Sequence, residues 1–394
     1  MFQLLSKLVP RSAIVVLLLL TLGAVLAFAA VNHLVKRFNA NQQARGGKLY
    51  AQAVADLNTG NPERAIEELR SALICDRGNP QYQLSLGRAL RDTGRLDEAE
   101  SYLQSLWERT PEDGTVNLAL GRVAVRRGSV DEALRSYHNA MYGVWSSDPD
   151  LNRRKARIEL IEFLLQKNAL EQARSELVAL AASLPPDPSL HLLTGDLLAQ
   201  ARDYPDALME YERVLHLDRG NAAALAGAGK AAYRAGRYRT AHHYLQSAVS
   251  ANSQDVELRT LNSSANLILD TDPFVRRISD AERNRRISAA FANAGERLTT
   301  CAKQRGIDLS AVKPATSALS PPPSASPLMV LETRWLRGKA DLPRMRSAAE
   351  ADLPDTIMDL VFEIEQQTNQ DCGEPQGTDE ALLLISRDRE TADQ

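Results

Sequence analysis

Aromatic residues are scarce in this chain of 394 residues, at 5%, whereas Leu, Ala, Arg and Glu are abundant. Strands draw on β-branched and aromatic side chains, so the shortage favours packed helices over sheets. Cysteines are few: Cys75, Cys301 and Cys372 form no CxxC and no Cys/His cluster, which argues against a structural zinc site. No charge sign dominates either. A net charge of −3 gives no whole-chain electrostatic reason to expect nucleic acid as a partner. Catalytic signatures are missing as well, with no P-loop, GxGxxG, HExxH or GxSxG. His242 and His243 are adjacent, hence about 100° apart on a helix, and cannot share a metal as an i,i+4 pair would. A chain with no enzyme chemistry, no cofactor and no metal is expected.

One long apolar run is present. Ala13 to Val31 has no charged residue, and as a helix it rises about 28 Å, close to the hydrocarbon thickness of a bilayer. It is expected to be a single-pass membrane anchor over 13–31, after a tail over 1–12 and before a juxtamembrane segment over 32–45. The competing reading is a cleaved signal peptide. Lys7 and Arg11 would supply its basic n-region and Ala27-Phe28-Ala29 its cleavage site. The run is longer than the usual signal core, which favours the uncleaved anchor. Lys36, Arg37, Arg45 and Lys48 follow the span, so a positive-inside count would keep the body in the cytoplasm. The signal-like start argues for export, and a periplasmic body is the favoured expectation.

Beyond the anchor the chain repeats itself. The stretches LGRALRDTGRLDEAESYL, LGRVAVRRGSVDEALRSY and GAGKAAYRAGRYRTAHHYL align without gaps. A small residue recurs at Ala53, Gly87, Gly121, Gly195 and Gly229, and a second at Ala65, Ala99, Ala133, Ala173, Ala207 and Ala241. Four positions after the latter stand Leu69, Leu103, Tyr137, Leu177, Tyr211 and Leu245. The alanines are spaced 34, 34, 40, 34 and 34 apart. Two helices approach closely only where side chains are small, so such positions mark helix–helix contacts. Gly94, Gly128 and Gly236 fall where the paired helices turn and a left-handed cap is needed.

This pattern resembles the tetratricopeptide repeat, a helix–turn–helix unit, and the chain is identified as a membrane-anchored, bacterial-type member. The resemblance covers 46–255 as six repeats. The fourth departs from it, with Ile161 where Gly is preferred and Asn168 at the turn, while Pro111 and Pro185 keep the closing proline. The implied fold class is all-α: an N-terminal transmembrane helix, a right-handed α-solenoid of repeats and a small C-terminal helical region. In such arrays the first helices line a groove for a protein or peptide. The groove residues carried over are Arg88, Arg91, Arg122 and Arg126, then Glu159, Glu162 and Asp196, then Lys230 and Arg234. They would make a groove basic at one end and acidic in the middle. The Asn-and-Lys pattern that clamps a C-terminal carboxylate in some relatives is absent.

The longer interval marks extra residues around Tyr142-Gly143-Val144-Trp145-Ser146-Ser147-Asp148, either a turn with its aromatics tucked inward or an exposed knob. A polar-backed helix over 256–271 suits the cap that arrays need. The segment 272–312 is expected as an amphipathic helix with its stripe at Ile287, Phe291, Ala294, Leu298 and Cys301. Five arginines between Arg276 and Arg286 crowd its first half, as a solvated face or a contact for anionic lipid. A Pro/Ser-rich linker, 313–327, leads to a helical region over 328–394 that is expected to fold back onto that stripe. Cys301 and Cys372 end two apolar stripes and are either reduced thiols or, outside the cytoplasm, a disulfide pair.

The expected function is a membrane-tethered scaffold or adaptor holding a protein partner in a cell-envelope assembly or export process. The alternative is an enzyme or lipid-handling protein with its chemistry in the C-terminal helical region.

Overall fold

The computed structural model describes residues 11–309, 326–346 and 352–392. Among these, regular structure is helical throughout, apart from one isolated bridge between Asp113 and Val144. Two compact units divide the chain, Met1–Glu176 and Leu177–Gln394.

The first unit begins with α1 (Arg11–Asn58), a helix of 48 residues. Its apolar residues from Val15 to Phe38 face outward, Leu20 at 68% and Phe28 at 73% exposure. It is long and apolar enough to cross a membrane. The anchor, juxtamembrane and first-repeat segments were expected as separate pieces, yet all lie on this one uninterrupted helix. The Gly46-Gly47 pair at the last of these boundaries does not interrupt the helix, and close packing is found at Gly46, where a Cβ would come within 3.3 Å of Cys75 and Tyr82. Helices α2 (Pro62–Cys75), α3 (Pro80–Asp92), α4 (Leu96–Trp107), α5 (Gly114–Arg127), α6 (Val130–Tyr142) and α7 (Pro149–Gln166) follow, and the unit ends within α8 (Leu170–Ala181).

Local chemistry sets these boundaries. Asn79 and Asp113 cap α3 and α5, their side chains accepting from backbone N–H groups of the first turn. The same residue types open α9 (Pro188–Gln200), α11 (Ala222–Arg234) and α13 (Val256–Thr271), through Asp187, Asn221 and Asp255. Each paired-helix turn holds a left-handed residue: Gly60, Gly94, Gly128, Asn168, Arg202 and Gly236. The following N–H reaches back to close the helix, as from Arg95 to the Leu90 carbonyl (2.8 Å) and from Arg237 to Ala232 (2.8 Å).

Within each repeat, the small residue of the first helix receives the large one of the second. A Cβ on Gly87 would lie 2.8 Å from Leu103, and one on Gly121 would lie 2.9 Å from Tyr137. In the second unit the distances are 2.8 Å from Gly195 to Tyr211 and 2.8 Å from Gly229 to Leu245. The extra residues after α6 divide their aromatics. Trp145 covers Gly114 and donates its Nε1–H to the Ala140 carbonyl (2.9 Å), whereas Tyr142 is 81% exposed. Backbone bonds from Gly114 to Val144 (2.9 Å) and Val144 to Glu112 (2.7 Å) fasten the loop to the start of α5.

The second unit also contains α10 (Tyr204–Leu217), α12 (Tyr238–Ala251), α14 (Asp280–Gln304), α15 (Pro327–Asp341), a 3-10 turn (Leu342–Arg346), α16 (Leu353–Cys372) and α17 (Thr378–Ala392). The amphipathic helix was expected from 272, but it starts at Asp280, where Ser279 caps it. Arg277 before it is left-handed, which breaks the helix there. Most of the expected linker lies outside the described residues, and α15 opens at its end, capped by Ser326. The stripe Ile287, Phe291, Ala294, Leu298 and Cys301 is buried with Leu328, Ile357, Val361, Ile364 and Leu382 in one core. Ile268 of α13 joins that core and α17 packs on α13, so this helix is not the simple solvent-facing cap expected. The arginine cluster is partly tied down: Arg286 donates to the Leu269 (2.7 Å) and Asp272 (2.9 Å) carbonyls and, with Arg285, binds Glu282.

Candidate functional site

Three consecutive first helices, α3, α5 and α7, line a cavity of about 300 Å³ in the first unit. Arg91, Arg122, Arg126, Glu159 and Glu162 reach it, with Val125, Tyr137, Phe163 and Gln166 completing the wall. On α5 and α7 these residues stand three or four apart and so share one face of their helix. The structure therefore brings together five of the carried-over groove residues.

They are not equivalent. Arg122 and Glu159 form a two-point ion pair, Nε to Oε2 at 2.8 Å and Nη2 to Oε1 at 2.6 Å. The Tyr137 hydroxyl donates to Glu159 Oε2 (3.1 Å). Burial works against the Glu159 carboxylate, but the hydrogen bonds and charge of Arg122 outweigh it and hold its pKa below the usual range. Tyr137 is pushed up by burial and then by Glu159. Where opposite charges at separate points along a groove were expected, α5 and α7 are bridged by a closed triad.

Arg91 gives Nε and Nη2 to its neighbour Asp92 (2.8 and 2.6 Å), leaving Nη1 buried with no acceptor among the described residues. Arg88, one turn earlier on α3, is half-buried, and its Nε likewise has no acceptor. Burial, then the positive charges of Arg122 and Arg91, lower its pKa. Arg126 and Glu162 are exposed.

The remaining carried-over residues belong to the second unit. Asp196 accepts from the Tyr211 hydroxyl (2.7 Å), Lys230 pairs with Glu257, and Arg234 is exposed. Cys301 and Cys372 are joined by a disulfide, with Cα atoms 5.7 Å apart.

Two buried charged groups escaped the sequence reading. Glu210 is 2% exposed and binds His191 Nδ1 (2.7 Å) and Arg213 Nη1 (2.5 Å), joining α9 to α10. Glu365 is fully buried, neither carboxylate oxygen has a hydrogen-bond partner among the described residues, and Arg297 Nε stands 4.0 Å away. Burial, then the charge of Asp379, push Glu365 up to about 8 against the pull of Arg297. Its position four residues after Val361 and three before Thr368, inside an apolar stripe, was the available signal.

Among known proteins, one tetratricopeptide-repeat profile matches residues 50–114, 84–150 and 164–222, and a second matches 198–264. Cellulose synthase operon protein C of Escherichia coli K12 is 26% identical over 286 residues, covering 72% of this chain. A putative cellulose synthase operon protein C of Escherichia coli O157:H7 matches over the same extent. The chain spans only 22% of the length of these curated relatives. Among solved structures, PilF of Pseudomonas aeruginosa is 19% identical, covering 57% of this chain and 99% of that one, with a TM-score of 0.38. PilW, a type IV pilus biogenesis factor, is 16% identical, covering 55% and 97%, with a TM-score of 0.38. The profile matches fall on the helix pairs whose small and large positions interlock, and the chain belongs to the tetratricopeptide-repeat family.

Proposed function

We propose that this chain is a membrane-tethered scaffold that holds a protein partner on the first-helix face of repeats two to four, outside the cytoplasm, in a cell-envelope assembly or export process. The observation that carries the reading is the α3–α5–α7 cavity, which combines arginine side chains, among them Arg91 with Nη1 lacking an acceptor among the described residues, with apolar groups in its wall. Sites of that composition suit extended segments bearing both charged and apolar side chains. The outward-facing apolar half of α1 supports tethering, and its continuity with the first repeat would carry the array on a stiff stalk. The Cys301–Cys372 disulfide supports an oxidising compartment. The partial likeness to a protein named for a cellulose synthase operon supports an envelope process.

Filling the cavity tests the reading. Gln166→Trp in the detergent-solubilised full chain is expected to abolish partner capture, whereas Glu67→Trp, on the exposed side of α2, retains it. Capture unaffected by Gln166→Trp overturns the groove reading. A phosphatase fused after Gln394 is expected to be active, and a fluorescent protein fused there dark; the reverse overturns the exported body.

A further inference from the structure

Four arginines approach the α3–α5–α7 face, and their hydrogen bonding separates them. Arg122 has spent its fork on Glu159, which Tyr137 also binds. Arg126 is exposed and solvated. Arg88 and Arg91 are different: each keeps a buried N–H with no acceptor among the described residues, Nε in Arg88 and Nη1 in Arg91. Arg91 lines the cavity and keeps Nη1 outside its Asp92 pair, and Arg88, one turn earlier, keeps Nε without an acceptor.

We propose that Arg88 and Arg91 receive a Glu or Asp side chain of an acidic, extended protein segment whose apolar neighbours rest against Val125 and Phe163. The proposal rests on the groove reading above and specifies its ligand. An N–H left over on each of two neighbouring arginines is completed by a carboxylate, whose two oxygens can accept one from each. Mutual repulsion among Arg88, Arg91 and Arg122, which lowers the Arg88 pKa after burial itself, is relieved when an anion enters. The partly exposed Val125, with the buried Phe163 behind it, decides the class of ligand. A phosphate or an anionic polysaccharide would satisfy the charge and leave that wall bare, whereas a peptide brings acid and apolar side chains together. Arg122 is excluded as the receptor, since it has no such buried N–H left over and a ligand there would compete with the half-buried Glu159. Arg91 can keep its pair with the exposed Asp92 and use Nη1.

The test uses the full chain in detergent and an end-blocked fluorescent decapeptide of Glu, Ala and Val, with a counterpart carrying Gln for Glu. By fluorescence anisotropy, the Glu peptide is expected to bind at least about tenfold more tightly, the gap expected for one charge-assisted contact. Arg88→Gln/Arg91→Gln is expected to erase that preference and flatten its salt dependence, with helix content unchanged by circular dichroism. Equal binding of the two peptides, or an undiminished preference in the double variant, overturns the proposal. A uronate polysaccharide that displaces the Glu peptide at matched charge overturns the peptide assignment. Gln166→Trp separates the two levels. If it blocks both peptides while they bind equally, the groove reading stands and the carboxylate assignment falls. If it blocks neither, both fall.

Discussion

At the scale of single residues, the repeat is a set of steric interlocks. Gly121 faces Tyr137 so closely that any larger side chain must displace the ring. Gly121→Val is expected to cost about 1–3 kcal/mol, as overpacking does, and thermal unfolding by circular dichroism reads it. Gly47→Ala, whose nearest contact is 4.0 Å away, is expected to be neutral or slightly stabilising. The turn positions make the opposite prediction. Arg202 occupies the left-handed site that four of its five counterparts fill with Gly. Arg202→Gly is expected to stabilise by about 1 kcal/mol, measured by urea unfolding, and a loss of stability would contradict the strain. Glu365 adds a pH dependence. Its folded pKa of about 8 lies above the unfolded value of roughly 4.3. The folded chain therefore holds an extra proton between those values. The stability this supplies is complete below the unfolded pKa and is lost as pH rises through the folded one. Glu365→Gln is expected to shrink the stability difference between pH 6 and pH 9, and an unchanged difference would contradict the assignment.

Elements differ in how much the sequence revealed of them. The repeat helices were legible because their determinants are local: Asn or Asp at the cap, Gly at the turn, and small residues at contacts recurring with the period. Helix α14 was legible as a stripe, but its start was not, since Ser279 and the left-handed Arg277 outweigh an apolar pattern that continues through them. Charge pairing was the least legible. Arg122 and Glu159 stand 37 residues apart, and sequence patterning placed one at the basic end of a groove and the other in its acidic middle. Their pairing depends on how α5 and α7 pack, which no spacing rule contains. In the C-terminal core, the disulfide joins α14 to α16 across 71 residues. Reduction is expected to destabilise that core by about 2–4 kcal/mol. Hydrogen exchange should then accelerate in α14 and α16 and stay unchanged in α3 and α5. Uniform acceleration, or none, would contradict a local staple.

At the scale of the whole molecule, a long apolar helix runs directly into a repeat array. The apolar segment and the first repeat share α1 as one uninterrupted helix. The array supplies first helices whose outward positions are free to vary, because packing is handled by the small and large positions beneath. Function can therefore sit on α3, α5 and α7 without disturbing the fold. The central claim is that a protein partner lies in the α3–α5–α7 cavity. A photoreactive phenylalanine analogue at Gln166, activated in intact cells, tests it most directly, with the same analogue at Glu67 as control. The account predicts a discrete cross-linked protein from position 166 that is absent from position 67 and lost in Arg88→Gln/Arg91→Gln. Equal cross-linking from both positions, or none from position 166, would contradict it.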